Sequence, residues 1–154
     1  MENNMDIKDP VIYTKENIKL LKTVPVLDTG QIYIYVMFNS SGNIKIGKTT
    51  NIQQRLISLS GSNGGGYKIN ALYCSPPTWI PTIEETCHNH YHFARIKGTE
   101  WFDGEKVNFK DVVEYVNGMF YTDSFKICDE LRKKINEKKV ITINDNKGNW
   151  KRSL

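Results

Sequence analysis

The stretch GQIYIYVMFNSSGNIKIGKTTNIQQR, residues 30–55, contains two β-patterned runs joined by a turn and followed by the start of a helix. Ile32–Phe38 is rich in β-branched and aromatic residues, which predicts a strand. Gly42 can adopt the positive φ that a tight hairpin loop requires, and residues 44–48 form the returning strand. The rest of the chain is expected to complete this unit on both sides.

Polar groups recur along this unit. Tyr33 and Tyr35 are two residues apart in the first strand, so they project from the same face. Gly47 leaves a gap in the returning strand where a backbone or a ligand can approach closely.

The helix that follows the hairpin has three candidate caps, namely Thr49, Thr50 and Asn51. Its core-facing stripe consists of Ile52, Leu56 and Leu59. Arg55 borders that stripe, where it either lays its stem along the core edge or aims its charged fork at a phosphate or carboxylate.

A second helix is predicted after Pro81, a position where a missing N–H does no harm. Its apolar side consists of Ile83, Cys87 and Ala94. Polar residues at i, i+4, i+7 and i+11 form one row along the other side, namely Glu84, His88, Tyr91 and Arg95. Such a row either serves a site or is a surface stripe held by an i,i+4 hydrogen bond. His90 and His92 do not add a zinc site, because no cysteine stands at ligand spacing.

The remaining segments predict the frame around this unit. We expect a short helix in residues 15–24, ended by Pro25, with three residues facing inward, namely Ile18, Leu20 and Leu21. Residues 67–74 form a third strand, and the glycine-rich residues 61–66 are a flexible connector. Three further features are an aromatic anchor at Trp101-Phe102, a helix over residues 109–117 that Asn108 caps and Gly118 ends, and a basic helix over residues 124–139. Residues 143–154 are expected to be disordered.

Composition restricts the class of protein. The chain has 154 residues, of which 39% are hydrophobic and 25% charged, as in an ordinary soluble globular protein. It contains no apolar run long enough to cross a membrane, and its polar start is unlike a signal peptide. Three widely spaced cysteines, namely Cys74, Cys87 and Cys128, indicate reduced thiols and an intracellular location.

The net charge of +4 is concentrated near the C-terminus. Residues 121–154 hold nine Lys or Arg against five Asp or Glu, so residues 1–120 are neutral on balance. A basic tail on a neutral domain is typical either of a protein that binds a polyanion or of a solvated lysine-rich helix. We expect an N-terminal arm over residues 1–29, a domain over residues 30–120 and a basic helix and tail over residues 121–154.

Four segments together carry a resemblance to a known family, namely IYIYVM (32–37), IKIGKTTNIQQRL (44–56), IEETCHNHY (83–91) and GTEWF (98–102). In this order they resemble the GIY-YIG endonuclease superfamily, in particular its phage and viral branch with a KIGKT second signature. The resemblance covers about residues 30–118. It implies an α/β (α+β) fold with a small three-stranded antiparallel sheet flanked by helices, to which this chain adds its basic helix.

The resemblance also implies a function and a set of site residues. The family cleaves phosphodiester bonds in DNA with a divalent cation, Mg²⁺ or Mn²⁺, held by a glutamate. By position, Tyr35 is the first signature tyrosine, with Tyr33 as the alternative, and Glu84 is the metal ligand, with Glu85 as the alternative. The remaining catalytic positions are those of Arg55, His88 and Lys45. Lys45 stands where the family's second signature has a tyrosine, which makes it the departure from the pattern.

DNA is therefore the expected partner. Its expected contacts are Lys48, Arg95, Arg132, Lys133 and Lys134. No membrane partner is expected, and cleavage of both strands would require a homodimer or two successive nicks. Two alternatives remain open, namely a DNA-binding module that has lost turnover and a protein-interaction domain on the same fold.

Overall fold

The computed structural model describes residues 8–59 and 69–145, with side chains as far as residue 138. Within these ranges the chain forms four strands: β1 (Val11–Thr14), β2 (Tyr33–Asn39), β3 (Ile44–Thr49) and β4 (Ile69–Cys74). The helices are α1 (Ile52–Leu59), α2 (Ile83–His90), α3 (Phe109–Met119) and α4 (Asp123–Asp145). Two 3-10 helices cover Ile18–Thr23 and His92–Ala94. No described helix is long and apolar enough to cross a membrane.

The strands form one antiparallel sheet in the order β1-β4-β2-β3. The expected antiparallel α+β fold is confirmed, but the sheet has four strands where three were predicted. The additional strand β1 comes from the N-terminal arm and pairs with β4 from Val11↔Cys74 to Thr14↔Ala71. Four residues are too few for a period to be read from sequence, so this strand depends on the pairing partner that the fold provides.

The two faces of the sheet support separate apolar cores. On one face, Ile34 and Val36 of β2 and Ile46 of β3 pack with residues of α2 and α3. On the other face, Tyr35 and Met37 pack against residues of α1 and the N-terminal arm. Because successive side chains of a strand point to opposite faces, β2 and β4 each contribute to both cores, whereas the buried apolar residues of β3 belong to the first core alone. Tyr33 and Tyr35 lie on one face of β2, as predicted.

The N-terminal arm packs on the sheet. In its 3-10 helix Leu21 is buried as expected, but Leu20 is 53% exposed, so the prediction that Leu20 faces inward is wrong. A 3-10 turn repeats every three residues, which separates neighbours that an α-helix would place on one side. Tyr33 Oη donates a hydrogen bond to the Pro25 carbonyl over 2.6 Å and so fastens the arm to β2.

The polar row predicted along the second helix is interrupted. Helix α2 ends at His90, and the chain continues through the 3-10 helix His92–Ala94 into extended backbone at Arg95. Tyr91 is only 7% exposed, and its ring packs edge-on against that of Tyr115, 5.5 Å away between centroids. Burial of this ring removes Tyr91 from the polar row, so only Glu84 and His88 share the exposed side of α2.

The C-terminal helices extend further than predicted. Asn108 caps α3 as expected by accepting from the backbone N–H groups of Lys110 and Asp111. Gly118 lies inside α3 and does not end it, because Phe120 is the C-cap. Helix α4 continues to Asp145, so residues 143–145 are helical, and residues 146–154 lie outside the described residues, as does the predicted connector 61–66.

Candidate active site

Tyr35 and Gly47 lie directly opposite each other in β2 and β3. A Cβ at position 47 would overlap Oη and Cζ of Tyr35 and would lie 2.7 Å from its Cε2. The tyrosine ring therefore lies across the glycine backbone and occupies the gap that the sequence predicted for a backbone or a ligand. Only a glycine at position 47 lets the Tyr35 phenol reach the strand edge.

The Tyr35 phenol is held inside the protein. Tyr35 is 0% exposed, and its Oη has no hydrogen-bond partner of acceptable geometry within the described part of the chain. Burial raises the pKa of Tyr35 above its ordinary value, because a charged phenolate would lose its hydration. The nearby guanidinium of Arg55 lowers that pKa in part, whereas the charges of Glu84 and Glu100 raise it further.

Arg55 reaches Tyr35 from helix α1. The helix begins with a side-chain cap, because Asn51 Oδ1 accepts from the backbone N–H of Gln54 over 3.0 Å. Ile52 and Leu56 are buried against the same sheet face as Tyr35, which fixes α1 over the phenol. Arg55 lies at the edge of that contact and is half-buried. Its permanent positive charge is therefore the electrostatic partner of Tyr35.

Lys45 lies on the same sheet face, where it opposes Met37. It is 8% exposed, and its Nζ donates to Glu100 Oε1 over 2.6 Å. The ammonium also lies 5.9 Å from the centre of the Trp101 ring, within the range of a cation–π interaction. The hydrogen bond and the charge of Lys45 lower the pKa of the Glu100 carboxyl. Lys45 is therefore a fixed and paired cation at the strand edge.

Glu84 and His88 approach β3 from its other side, on helix α2. Glu84 Oε1 lies 3.9 Å from Lys48 Nζ, and both side chains are partly exposed. His88 Nε2 lies 2.7 Å from the carbonyl oxygen of Ile46. A carbonyl only accepts, so Nε2 carries a proton, and in the neutral ring Nδ1 is then an acceptor. The His88 ring is further fixed edge-on to Phe102, with 5.5 Å between centroids.

The segment 98–102 closes the outer edge of β3. Phe102 is buried, and its backbone pairs with Ile44 through hydrogen bonds of 2.7 and 2.9 Å. The predicted aromatic anchor at this segment is confirmed for Phe102. Glu100 was not predicted as a site residue, although a carboxylate directly before the Trp-Phe pair was the available signal. Its contact with Lys45 spans 55 residues of sequence, which no local pattern reveals.

The structure thus brings together Tyr35 and Arg55 on one side of β3 and Glu84 and His88 on the other. Lys45 and Lys48 point to opposite sides of the same strand, since they are three positions apart and successive side chains alternate. Tyr33 is placed differently. It lines a cleft of about 340 Å³ that none of the other candidate catalytic residues lines, and its hydroxyl is engaged by Pro25.

The remaining predicted DNA contacts lie at the surface. Arg95 is exposed, and its Nε donates to the Thr99 carbonyl over 2.9 Å. The basic residues of α4 are exposed as well, namely Arg132, Lys133 and Lys134. Helix α4 is tied to the domain by Asp129, which accepts from Thr78 Oγ1 over 2.9 Å and from the Trp79 N–H over 2.7 Å.

Metal ligands are sparse around the site. In the part of the chain that the structure describes, no three His, Cys, Asp or Glu side chains are grouped as a metal site. Glu84 offers a partly open carboxylate, with a side chain 25% exposed. Mg²⁺ is commonly held by one or two carboxylates together with water and substrate phosphate, so this donor set is compatible with Mg²⁺ or Mn²⁺.

The T5orf172 domain matches residues 30–120, which is more than half of the chain. The chain belongs to the T5orf172 domain family. That family is a nuclease-associated, GIY-YIG-like or HNH-like domain, so a nuclease-associated domain is confirmed, whereas the GIY-YIG signature itself stays a prediction. No curated protein and no solved structure matches the chain.

Proposed function

We propose that this T5orf172 domain protein is a DNA endonuclease that hydrolyses phosphodiester bonds with the help of Mg²⁺ or Mn²⁺. The observation that carries the proposal is that four candidate residues lie around strand β3, namely Tyr35, Arg55, Glu84 and His88. In this strand Gly47 leaves the space that the Tyr35 phenol occupies. A phosphodiester requires activation of a water, neutralisation of charge on the phosphoryl group and stabilisation of the leaving oxygen. The four side chains supply groups for each of these tasks.

Tyr35 and Arg55 form the half of the site that receives the phosphate. Arg55 grips two phosphate oxygens with its guanidinium fork. Tyr35 Oη takes the proton of the attacking water, or positions that water as a neutral phenol. Tyr35 Oη is buried and has no hydrogen-bond partner of acceptable geometry in the described residues, so a water or a substrate oxygen would supply that partner. Lys45 provides a second positive charge on the same face.

Glu84 and His88 form the half of the site that receives the leaving group. Glu84 would hold the divalent cation, which requires the Lys48 ammonium to turn from the carboxylate toward a DNA phosphate. The bound cation would neutralise charge on the leaving oxygen. His88 is fixed by Ile46 through Nε2, so Nδ1 can accept from a water or from the substrate.

DNA binding in this proposal extends beyond the site. The exposed cations Arg95, Arg132, Lys133 and Lys134 neutralise neighbouring phosphates and release counterions, which makes binding dependent on salt. Cutting both strands of a duplex would require a second copy of the site, so the proposal includes either a homodimer or two successive nicks.

Plasmid nicking with Mg²⁺ or Mn²⁺ tests this function. The wild type converts supercoiled plasmid to the open circle, and Glu84→Gln lowers the rate by about 100-fold or more, as expected for loss of electrostatic stabilisation. Glu85→Gln is the matched control, because Glu85 is an adjacent and exposed carboxylate on the same helix. Arg55→Ala is expected to weaken both binding and cleavage. Equal nicking by the wild type and Glu84→Gln would refute the assignment.

A catalytically inactive DNA-binding module is the second candidate, and the burial of Tyr35 favours it. A phenol with 0% exposure is not open to an attacking water in the free protein. Salt-dependent binding of duplex DNA without nicking, under every divalent cation tried, would select this candidate. A lack of DNA affinity at low salt would leave only a protein-interaction role.

A further inference from the structure

Lys45 occupies an unusual position for a lysine. It belongs to the strand face that builds the core with Tyr35 and Met37, and it is only 8% exposed. A surface ion pair contributes little to stability, so a methionine or leucine could fill this strand position at least as well. The lysine stem nevertheless lies along the core, while its ammonium is directed to the strand edge and to Glu100.

Glu100 is placed by a rigid turn. Arg95 and Phe102 pair across this turn, and Ile96 donates its N–H to the Trp101 carbonyl over 2.9 Å. Gly98 takes a φ of +79° at the tip, and Thr99 Oγ1 accepts from the Trp101 N–H over 3.0 Å. The turn is further locked to β3 by the paired backbones of Phe102 and Ile44. The position of the carboxylate at the edge of β3 thus follows from backbone hydrogen bonds.

Burial does not require Glu100 to make this contact. Its side chain is 71% exposed and would be fully hydrated if it turned away. The carboxylate also feels the positive charge of Arg95, although it is bonded to Lys45. Lys45 Nζ donates one of its three N–H groups to Glu100. The other two N–H groups can donate to the oxygens of a phosphate.

We infer that Glu100 is a positioning residue that holds the Lys45 ammonium at the edge of β3, on the sheet face that also carries Tyr35, so that Lys45 contacts the scissile phosphate there. This inference rests on the proposed nuclease function. Without the carboxylate, the lysine stem retains its packing, but the ammonium is free to rotate away from the strand edge. Misplacement of a contact by about 1 Å is enough to slow a reaction by about 100-fold.

The first test compares Glu100→Gln, Glu100→Asp and the control Glu105→Gln in the nicking assay with the full chain. Glu105 is an exposed carboxylate in the following turn, so its loss changes the net charge by the same amount. We expect Glu100→Gln to lower kcat by about 10- to 100-fold with little change in KM or in Tm. Glu100→Asp, which keeps the charge, is expected to recover part of the rate. The control should equal the wild type.

The second test exchanges the two charges. Lys45→Glu alone buries an unpaired carboxylate and should lower Tm, and the double variant Lys45→Glu/Glu100→Lys should recover Tm because the pair is restored. Cleavage should not recover, because the cation then extends from the exposed position 100 and no longer from β3. Recovery of cleavage in the exchanged pair would overturn the inference, as would a Glu100→Gln variant as active as Glu105→Gln. An inactive wild type would instead refute the proposed function.

Discussion

The two sides of strand β3 differ in how firmly they hold their site residues. On the Tyr35 side, the phenol is 0% exposed, Lys45 is 8% exposed, and the Lys45–Glu100 hydrogen bond is 2.6 Å long. On the Glu84 side, the carboxylate and the Lys48 ammonium are 3.9 Å apart, with side chains 25% and 46% exposed. The first side is fixed in the free protein, whereas the second has the freedom to rearrange that the proposed binding of a cation and a phosphate would require.

This difference follows from the elements that carry the residues. Tyr35 and Lys45 lie on paired strands, whose backbone hydrogen bonds leave side chains little freedom once the face is covered. Glu84 lies in the first turn of α2, near the surface, where long side chains keep their rotamer freedom. In the proposed mechanism, the rigid side would orient the attacking water, and the adaptable side would admit the ions.

Gly47→Ala is expected to have the largest effect, because it disrupts the packing on the Tyr35 side of β3. The added methyl group would overlap the Tyr35 phenol, which is fully buried and cannot move aside freely. We expect the free energy of unfolding to fall by about 3 kcal/mol and the nicking rate to fall by about 100-fold or more. Urea denaturation and plasmid nicking measure the two effects.

Gly118→Ala is the matched control for that substitution. Gly118 lies within α3, and a methyl group there would have no neighbour within 4 Å. Alanine is also the better helix former, so this variant should be as stable as the wild type or more stable by about 0.5–1 kcal/mol. If Gly47→Ala were equally well tolerated, the Tyr35 ring could not lie across the strand as described.

Tyr35→Phe is expected to separate stability from activity on the fixed side. The substitution removes a buried hydroxyl that has no hydrogen-bond partner of acceptable geometry in the described residues, so we expect the free energy of unfolding to rise by about 1 kcal/mol. Loss of the proposed general base should lower the nicking rate by about 100- to 10,000-fold. A loss of stability would instead mean that the hydroxyl has a partner in the native protein.

The pH profile sharpens the same prediction. Burial raises the pKa of Tyr35 above 10.0, so the phenol is protonated at neutral pH, and the fraction in the basic form rises tenfold with each pH unit. The nicking rate of the wild type should therefore rise through about pH 6–9 without a plateau. The residual rate of Tyr35→Phe should lack this rise. A plateau below about pH 8 in the wild type would show that another group accepts the proton.

Most of the strands and helices could be predicted from local sequence. Strands β2 and β3 alternate clearly, and Asn108 caps α3 by a side-chain contact within three residues. By contrast, β1 depends on β4, which lies far along the chain, and the end of α2 depends on the burial of Tyr91 against α3. Local patterns do not encode such distant partners, so these two features were missed.

The candidate site likewise contains some residues that local sequence predicts and others that depend on distant contacts. Tyr35, Gly47 and Arg55 lie within one contiguous segment, whose strand period and helix stripe place them together. Glu84 and His88 were predicted to share one helix side, and the structure places them there, but the extension of their row to Tyr91 and Arg95 was wrong. Glu100 became visible only through its contact with Lys45, which backbone pairing of two distant segments creates.

Lys48→Gln tests the adaptable side and is expected to have the smallest effect on stability. A partly exposed pair at 3.9 Å contributes little, so the free energy of unfolding should change by less than about 0.5 kcal/mol. Without the ammonium, the Glu84 carboxylate is free to accept a cation, and the Mg²⁺ concentration for half-maximal nicking should fall by about threefold. KM for DNA should rise, because a phosphate contact is lost.

Titration of Mg²⁺ at saturating DNA separates the effect on the cation from the effect on DNA binding. The control is Lys97→Gln, because Lys97 is an exposed lysine outside the proposed site. A loss of more than about 1 kcal/mol in stability would show that this side is as firmly held as the other.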